Sequence, residues 1–283
     1  TGHRVPLIYS VPGTAYEGVA ALGGRLVHPE LHQPMIANQG RILTTPEQVD
    51  DLQVPDPWDS DRFRKQVDQY HELKRRFGDR AGGGMGGQEG PITTAGLLRG
   101  EQFFVDCAAD PGRSHRLLDV CTEMYIRWRQ VTQEITGARP SIAGICDDYA
   151  GMLGPDMFPE FVVPYYRRIY ETLGTHGGHL HTELVRREHL PHLRALVLTS
   201  INFAEDEFLT IAEVREELPD VPFSWHIKTV SEMLQGTPDL IRRRFREIVS
   251  EGVTQINCEL TVGTPPENIR AFLEVASEYS ADG

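Results

Sequence analysis

A chain of 283 residues with 40% hydrophobic and 24% charged residues can bury a large core, and its formal net charge is −13. That acidity excludes nucleic acid and anionic membrane surfaces as expected partners, because the average surface would repel either. There is no run of about 18 apolar residues and no basic start leading into an apolar stretch, so neither a membrane span nor a secretory leader is expected and the chain reads as cytoplasmic.

Arg4-Val5-Pro6-Leu7-Ile8-Tyr9 reads as a first strand, closed by the turn signal Pro12-Gly13. Residues 23–60 show no sustained period except at Thr45-Pro46-Glu47, a cap followed by proline at the first helical position. A charged amphipathic helix over 61–77 leads into the glycine run 82–90, where the backbone can approach something closely. That run lacks the Lys-Ser/Thr of a P-loop and the spacing of a dinucleotide fingerprint. Gly86, Gly87 and Gln88 are its candidate cofactor-binding positions.

Helices are predicted over 93–98, 100–109 and 111–134, the last started by Asp110-Pro111. From there strands over 141–146, 178–182, 197–202, 221–227 and 253–258 alternate with helices over 155–173, 189–193, 208–218, 238–250 and 265–279. This repetition predicts a parallel α/β fold. With about seven strands in one unit, a single (β/α)₈ TIM barrel spanning residues 1–283 is preferred to a doubly wound sheet, and its chemistry belongs at the C-terminal strand ends.

The polar residues at those ends are the candidate site. His181 and Glu183, two apart, share a face of their strand, and Cys258 ends a later one. Together they make a possible three-ligand metal site with an open position. The plainer alternatives are a hydrogen-bonded buried histidine, a helix-capping acid and a small core cysteine. Asp147, Asp148 and Tyr149 follow the strand over 141–146 as catalytic candidates, although Asp147-Asp148 could equally cap a helix. Glu205 and His226 are further catalytic candidates, and Asn202 a cofactor-binding one. Cys107, Cys121, Cys146 and Cys258 show no C-x-x-C spacing, which suits a reducing compartment.

In order and separation, Arg4-Val5-Pro6, Thr45-Pro46-Glu47, Glu89-Gly90-Pro91, Leu117-Leu118-Asp119, Asp147-Asp148-Tyr149, Phe161-Val162-Val163-Pro164-Tyr165, Thr237-Pro238 and Thr264-Pro265-Pro266-Glu267-Asn268-Ile269 resemble the uroporphyrinogen decarboxylase superfamily. Within it the chain looks most like the zinc-dependent methyltransferases that move a methyl group between a corrinoid and a thiol such as coenzyme M. The resemblance implies a (β/α)₈ barrel, a small-molecule substrate and a corrinoid or corrinoid protein as methyl donor.

Two departures shape what is expected. Where true decarboxylases resemble one another in an Arg-Gln-Ala-Gly stretch whose arginine meets substrate carboxylates, this chain reads Ser10-Val11-Pro12-Gly13, so tetrapyrrole decarboxylation is not expected. The methyltransferases bind zinc through His-x-Cys and a later Cys; here those positions fall on His181, Glu183 and Cys258. Exchanging one thiolate for a carboxylate hardens the site, leaving Zn²⁺ preferred but Fe²⁺, Mn²⁺ or Co²⁺ open. The expected activity is metal-dependent methyl transfer to a thiol or similar soft acceptor. The alternatives are a lyase or decarboxylase of a small acid using Asp147 and Asp148, and a non-catalytic corrinoid-binding module.

Overall fold

Short apolar runs ending in polar residues form the strands, and proline- or Ser/Thr/Asp-started amphipathic stretches form the helices between them. The computed structural model describes residues 8–30, 34–85, 87–174, 176–205 and 207–279. Residues 4–7 of the expected first strand, and Gly86, lie outside the described residues.

The strands are β1 (Tyr9–Val11), β2 (Leu26–Val27), β3 (Met35–Ile36), β4 (Ala81–Met85), β5 (Ala143–Cys146), β6 (Gly178–His181), β7 (Leu198–Asn202), β8 (Phe223–Ile227) and β9 (Gln255–Cys258). Among the described residues β1 pairs in parallel with β4, and β5-β6-β7-β8-β9 form one continuous parallel sheet; β2 and β3 make a separate antiparallel hairpin. Helices follow the parallel strands, giving the TIM-barrel type of α/β fold that the sequence implied.

Register decides which side chains reach the interior. Cys146 pairs with His181, His181 with Asn202, and His226 with Asn257. The residues just before the first three, Ile145, Leu180 and Ile201, are buried in the apolar layer between strands and helices. Because side chains alternate along a strand, Cys146, His181 and Asn202 face the barrel interior. On β8 and β9 the same alternation turns His226 and Asn257 inward. Ile227 and its partner Cys258 pack on an apolar cluster with Ile241, Phe245 and Ala271.

Several helices match their predicted limits. Asp61–Phe77 starts at Ser60, whose side chain accepts from the Phe63 N–H. Pro111–Thr136 starts at Asp110 and stops at Gly137 in the left-handed conformation. The stretch expected as one helix over 155–173 is instead broken into Phe158–Phe161 and Val163–Leu173, with Pro164 just inside the second piece. The main correction concerns the glycine run. Residues 81–85 form β4, a strand whose glycines supply no side-chain signal for one. No helix among the described residues is long and apolar enough to cross a membrane.

Candidate active site

The tips of β5 and β6 carry Cys146 and His181 side by side, and Asp148 returns toward them from the turn after β5. The ligand-type atoms of Cys146, Asp148 and His181 all lie within 4.8 Å of one another, and this is the one such group among the described residues. The His181 Nε2 is 3.3 Å from Asp148 Oδ1, and the Cys146 thiol donates to the same oxygen over 3.6 Å. The hydrogen bond and charge of Asp148 raise the His181 pKa against the opposing effect of burial. The Cys146 thiol is pushed up, first by burial and then by Glu89 and the two aspartates.

Backbone bonds fix these tips to one another. Gly90 N–H donates to Cys146 O (2.5 Å), Asp147 N–H to His181 O (2.9 Å) and Thr182 N–H to Asn202 O (3.0 Å). Asn202 also bridges two imidazoles. Its Oδ1 lies 3.1 Å from His181 Nδ1 and accepts the Ala204 N–H at 2.7 Å, while its Nδ2 is 3.2 Å from His226 Nε2.

Asp147 has a different task. Its carboxylate is fully buried and accepts from the backbone N–H groups of Ile92 and Thr93 and from the Thr93 hydroxyl, capping helix Pro91–Arg99. Burial pushes its pKa up to about 6 even though the three donors pull it down. A Cβ at Gly90 would sit 2.4 Å from Asp147 Oδ2, so this packing requires glycine.

The other predicted residues disperse. Glu183 is half-buried and within electrostatic reach of both His181 and Glu89. Tyr149 packs its ring against Gly96 beside a cleft of about 770 Å³ lined also by Arg41 and Met152, while burial, Glu89 and Asp148 raise its hydroxyl pKa. Glu205 accepts the Thr229 N–H at 2.6 Å and lies near His226. Gly87 donates to Thr14 O and Gln88 bridges to Tyr16, so this part of the glycine run approaches the chain's own residues 14–16. Cys258 lies on the outer apolar layer, outside the Cys146–Asp148–His181 group.

Sequence reasoning passed over Cys146, Glu89 and Tyr16. The signal for Cys146 was present: Cys146-x-Asp148 after β5 repeats the spacing of His181-x-Glu183 after β6. Glu89 is 6% exposed with Oε2 unpartnered among the described residues. Burial first, and Asp148 and Asp147 next, push its pKa up to about 8. Tyr16 faces the same acids, and its pKa is raised by burial and by Glu89.

Residues 18–279 match the uroporphyrinogen decarboxylase (URO-D) family. The chain belongs to that family. It is similar to a methylated-thiol–coenzyme M methyltransferase of Methanosarcina mazei, 23% identical over 192 residues, covering 66% of this chain and 51% of the relative. It is also similar to a uroporphyrinogen decarboxylase of Schizosaccharomyces pombe, 23% identical over 197 residues, covering 60% of this chain and 50% of that enzyme. The chain thus aligns with about half the length of these curated URO-D relatives. A solved methyltransferase from Methanosarcina mazei superposes with a TM-score of 0.75 at 19% identity, covering 97% of this chain and 81% of that one, which establishes the shared fold.

Proposed function

We propose that this URO-D family member is a metal-dependent methyltransferase in which Cys146, Asp148 and His181 hold a divalent ion, zinc in preference to Fe²⁺, Mn²⁺ or Co²⁺. The observation that carries this reading is the convergence of a thiol, a carboxylate and an imidazole at adjacent strand tips. The donor set fits such an ion. Asn202 holds the Nδ1 side of His181, leaving Nε2 directed at the group. Ionised Cys146 and Asp148 with neutral His181 would balance a 2+ charge, and three protein donors leave a position open. The thiolate favours zinc over harder ions.

Bound there, the metal would supply Lewis acidity to an acceptor thiol and lower its pKa. The chain's own groups set the surroundings. Asp147, occupied in capping Pro91–Arg99, holds the Cys146–Asp148 turn in place and is not free for substrate. That argues against a small-acid decarboxylase built on the Asp147–Asp148 pair. In the metal-free protein Glu89 is kept neutral by burial until about pH 8, so it adds no negative charge beside the donors before an ion binds. Similarity to a methylated-thiol–coenzyme M methyltransferase supports a soft thiol acceptor, and the corrinoid or corrinoid protein as donor is part of this proposal.

The test is bound metal per chain after zinc reconstitution in wild type, Cys146→Ala, His181→Ala and Cys258→Ala, followed by demethylation of methylcobalamin by a small thiol. Loss of metal and turnover in the first two variants, with retention in Cys258→Ala, is expected. Loss in Cys258→Ala with retention in Cys146→Ala would move the metal to His181, Glu183 and Cys258. A metal-free wild type that binds methylcobalamin without turnover would favour a corrinoid-binding module.

A further inference from the structure

His226 is 8% exposed, and its Nδ1 is buried without a partner among the described residues. The proton on this ring can be located from its neighbours. A backbone N–H can only donate, so the bond from Ala204 N–H identifies the Asn202 atom it reaches as oxygen. The other amide atom, facing His226 Nε2 at 3.2 Å, is then the nitrogen and must donate. Asn257 offers a second amide nitrogen to the same Nε2 at 3.5 Å. Burial lowers the ring's pKa, outweighing the pull of Glu259 and Glu205 in the opposite direction, in keeping with an Nε2 that accepts from Asn202. A neutral imidazole that accepts at Nε2 carries its proton on Nδ1. His226 therefore presents a fixed N–H donor on the inward side of β8 for which the described residues supply no acceptor. Unmet buried donors are rare and call for an explanation.

We propose that His226 Nδ1–H is a substrate-recognition donor for an uncharged oxygen acceptor, an amide or ester carbonyl, on the molecule bound at the barrel mouth. The nearby Glu205 and Glu259 carboxylates disfavour an anionic acceptor at this position. β6 and β8 are two strands apart, so the acceptor belongs about 10 Å from the His181 strand tip. If a thiol sulfur binds at Cys146, Asp148 and His181, as proposed above, the substrate is a short thiol bearing a carbonyl at its far end. Asn202 is the positioning residue: one amide sets the tautomers of His181 and His226 together.

Two measurements decide this. Long-range ¹H–¹⁵N correlation spectra of the metal-free wild type should show His226 protonated at Nδ1, and Asn202→Asp, which removes the donated hydrogen bond, should shift it toward Nε2. A wild-type ring protonated at Nε2 overturns the proposal. In Co²⁺-loaded protein, the sulfur-to-metal charge-transfer band reports binding of 3-mercaptopropionamide, 3-mercaptopropionate and propane-1-thiol. The amide should bind about fivefold more tightly than propane-1-thiol in wild type, with equal affinities in His226→Phe, the change expected for one neutral hydrogen bond. Equal discrimination in both proteins, or preference for the carboxylate over the amide, overturns it. Binding of Co²⁺ with no thiol band in either protein would count against the thiol-acceptor reading of the metal site, leaving the tautomer to decide the role of His226.

Discussion

Asp147 Oδ1 accepts two hydrogen bonds from Thr93, one from its backbone N–H at 2.6 Å and one from its hydroxyl at 2.7 Å. A carboxylate at the end of β5 thus starts the helix that follows β4. Asp147→Ala leaves those buried donors unmet and should destabilise the fold by about 2–4 kcal/mol. Asp148→Asn, on a half-buried side chain, should change stability by less than about 1 kcal/mol while weakening metal binding. Urea denaturation and metal content of the two variants check this contrast; equal destabilisation would refute the division of labour.

Gly90 carries the second half of that junction. A Cβ there would lie 2.4–2.6 Å from Asp147 side-chain atoms, while the Gly90 N–H must still reach Cys146 O. Gly90→Ala should cost about 2–3 kcal/mol through forced displacement of Asp147. Combined with Asp147→Ala, the loss should be smaller than the sum by about 1 kcal/mol, because both changes disturb one contact. Strict additivity in denaturant melts would show that the contact relaxes elsewhere.

The four cysteines should separate by reactivity. Cys107 and Cys121 are buried, and burial pushes the Cys107 thiol up to about 11 and that of Cys121 higher still. Neither should react with iodoacetamide in the folded protein near neutral pH. Cys146 and Cys258 are half-buried and so within reach of the reagent; because burial and the neighbouring acids push the Cys146 thiol up, its alkylation should be slow and need alkaline pH, and zinc should slow it further while leaving Cys258 unchanged. Peptide mass spectrometry with and without zinc reads this directly, and protection of Cys258 would contradict the site assignment.

Glu89 gives the metal-free protein a pH signature. Its carboxyl is raised from 4.5 to about 8, so the folded chain keeps a proton that the unfolded chain releases. The sign follows: the stability from protonated Glu89 is fully present below about pH 4.5 and is lost as pH rises toward 8. Thermal midpoints of metal-free wild type should fall across that interval relative to Glu89→Gln, which stays neutral. A difference between the two proteins that does not vary with pH would refute this.

Much of the barrel was legible because its strands end in polar residues and its helices begin at Ser60, Asp110 and Thr237, all of which cap as their side chains suggest, whereas the helix expected from 208 starts only after its cap Thr210. β4 was not, since glycines carry neither alternation nor propensity and the strand follows from pairing with β1. In the site, the inward direction of His181 followed from alternation alone. Cys258 was harder, because the facing of a strand's last residue depends on its neighbour, and register places it opposite the core residue Ile227. Cys146 needed only the comparison of two strand ends with the same spacing.

The backbone rungs from Gly90 to Cys146, Asp147 to His181 and Thr182 to Asn202 join the strand tips that carry the donor group. Amide hydrogens in such positions exchange with solvent only when neighbouring strands part. Deuterium uptake at residues 90, 147 and 182 should therefore follow the slow kinetics of the barrel interior, not those of surface turns. The donor group then has no loosened intermediate of its own: loss of its geometry and melting of the barrel become one cooperative event, and bound metal should raise the temperature of both together.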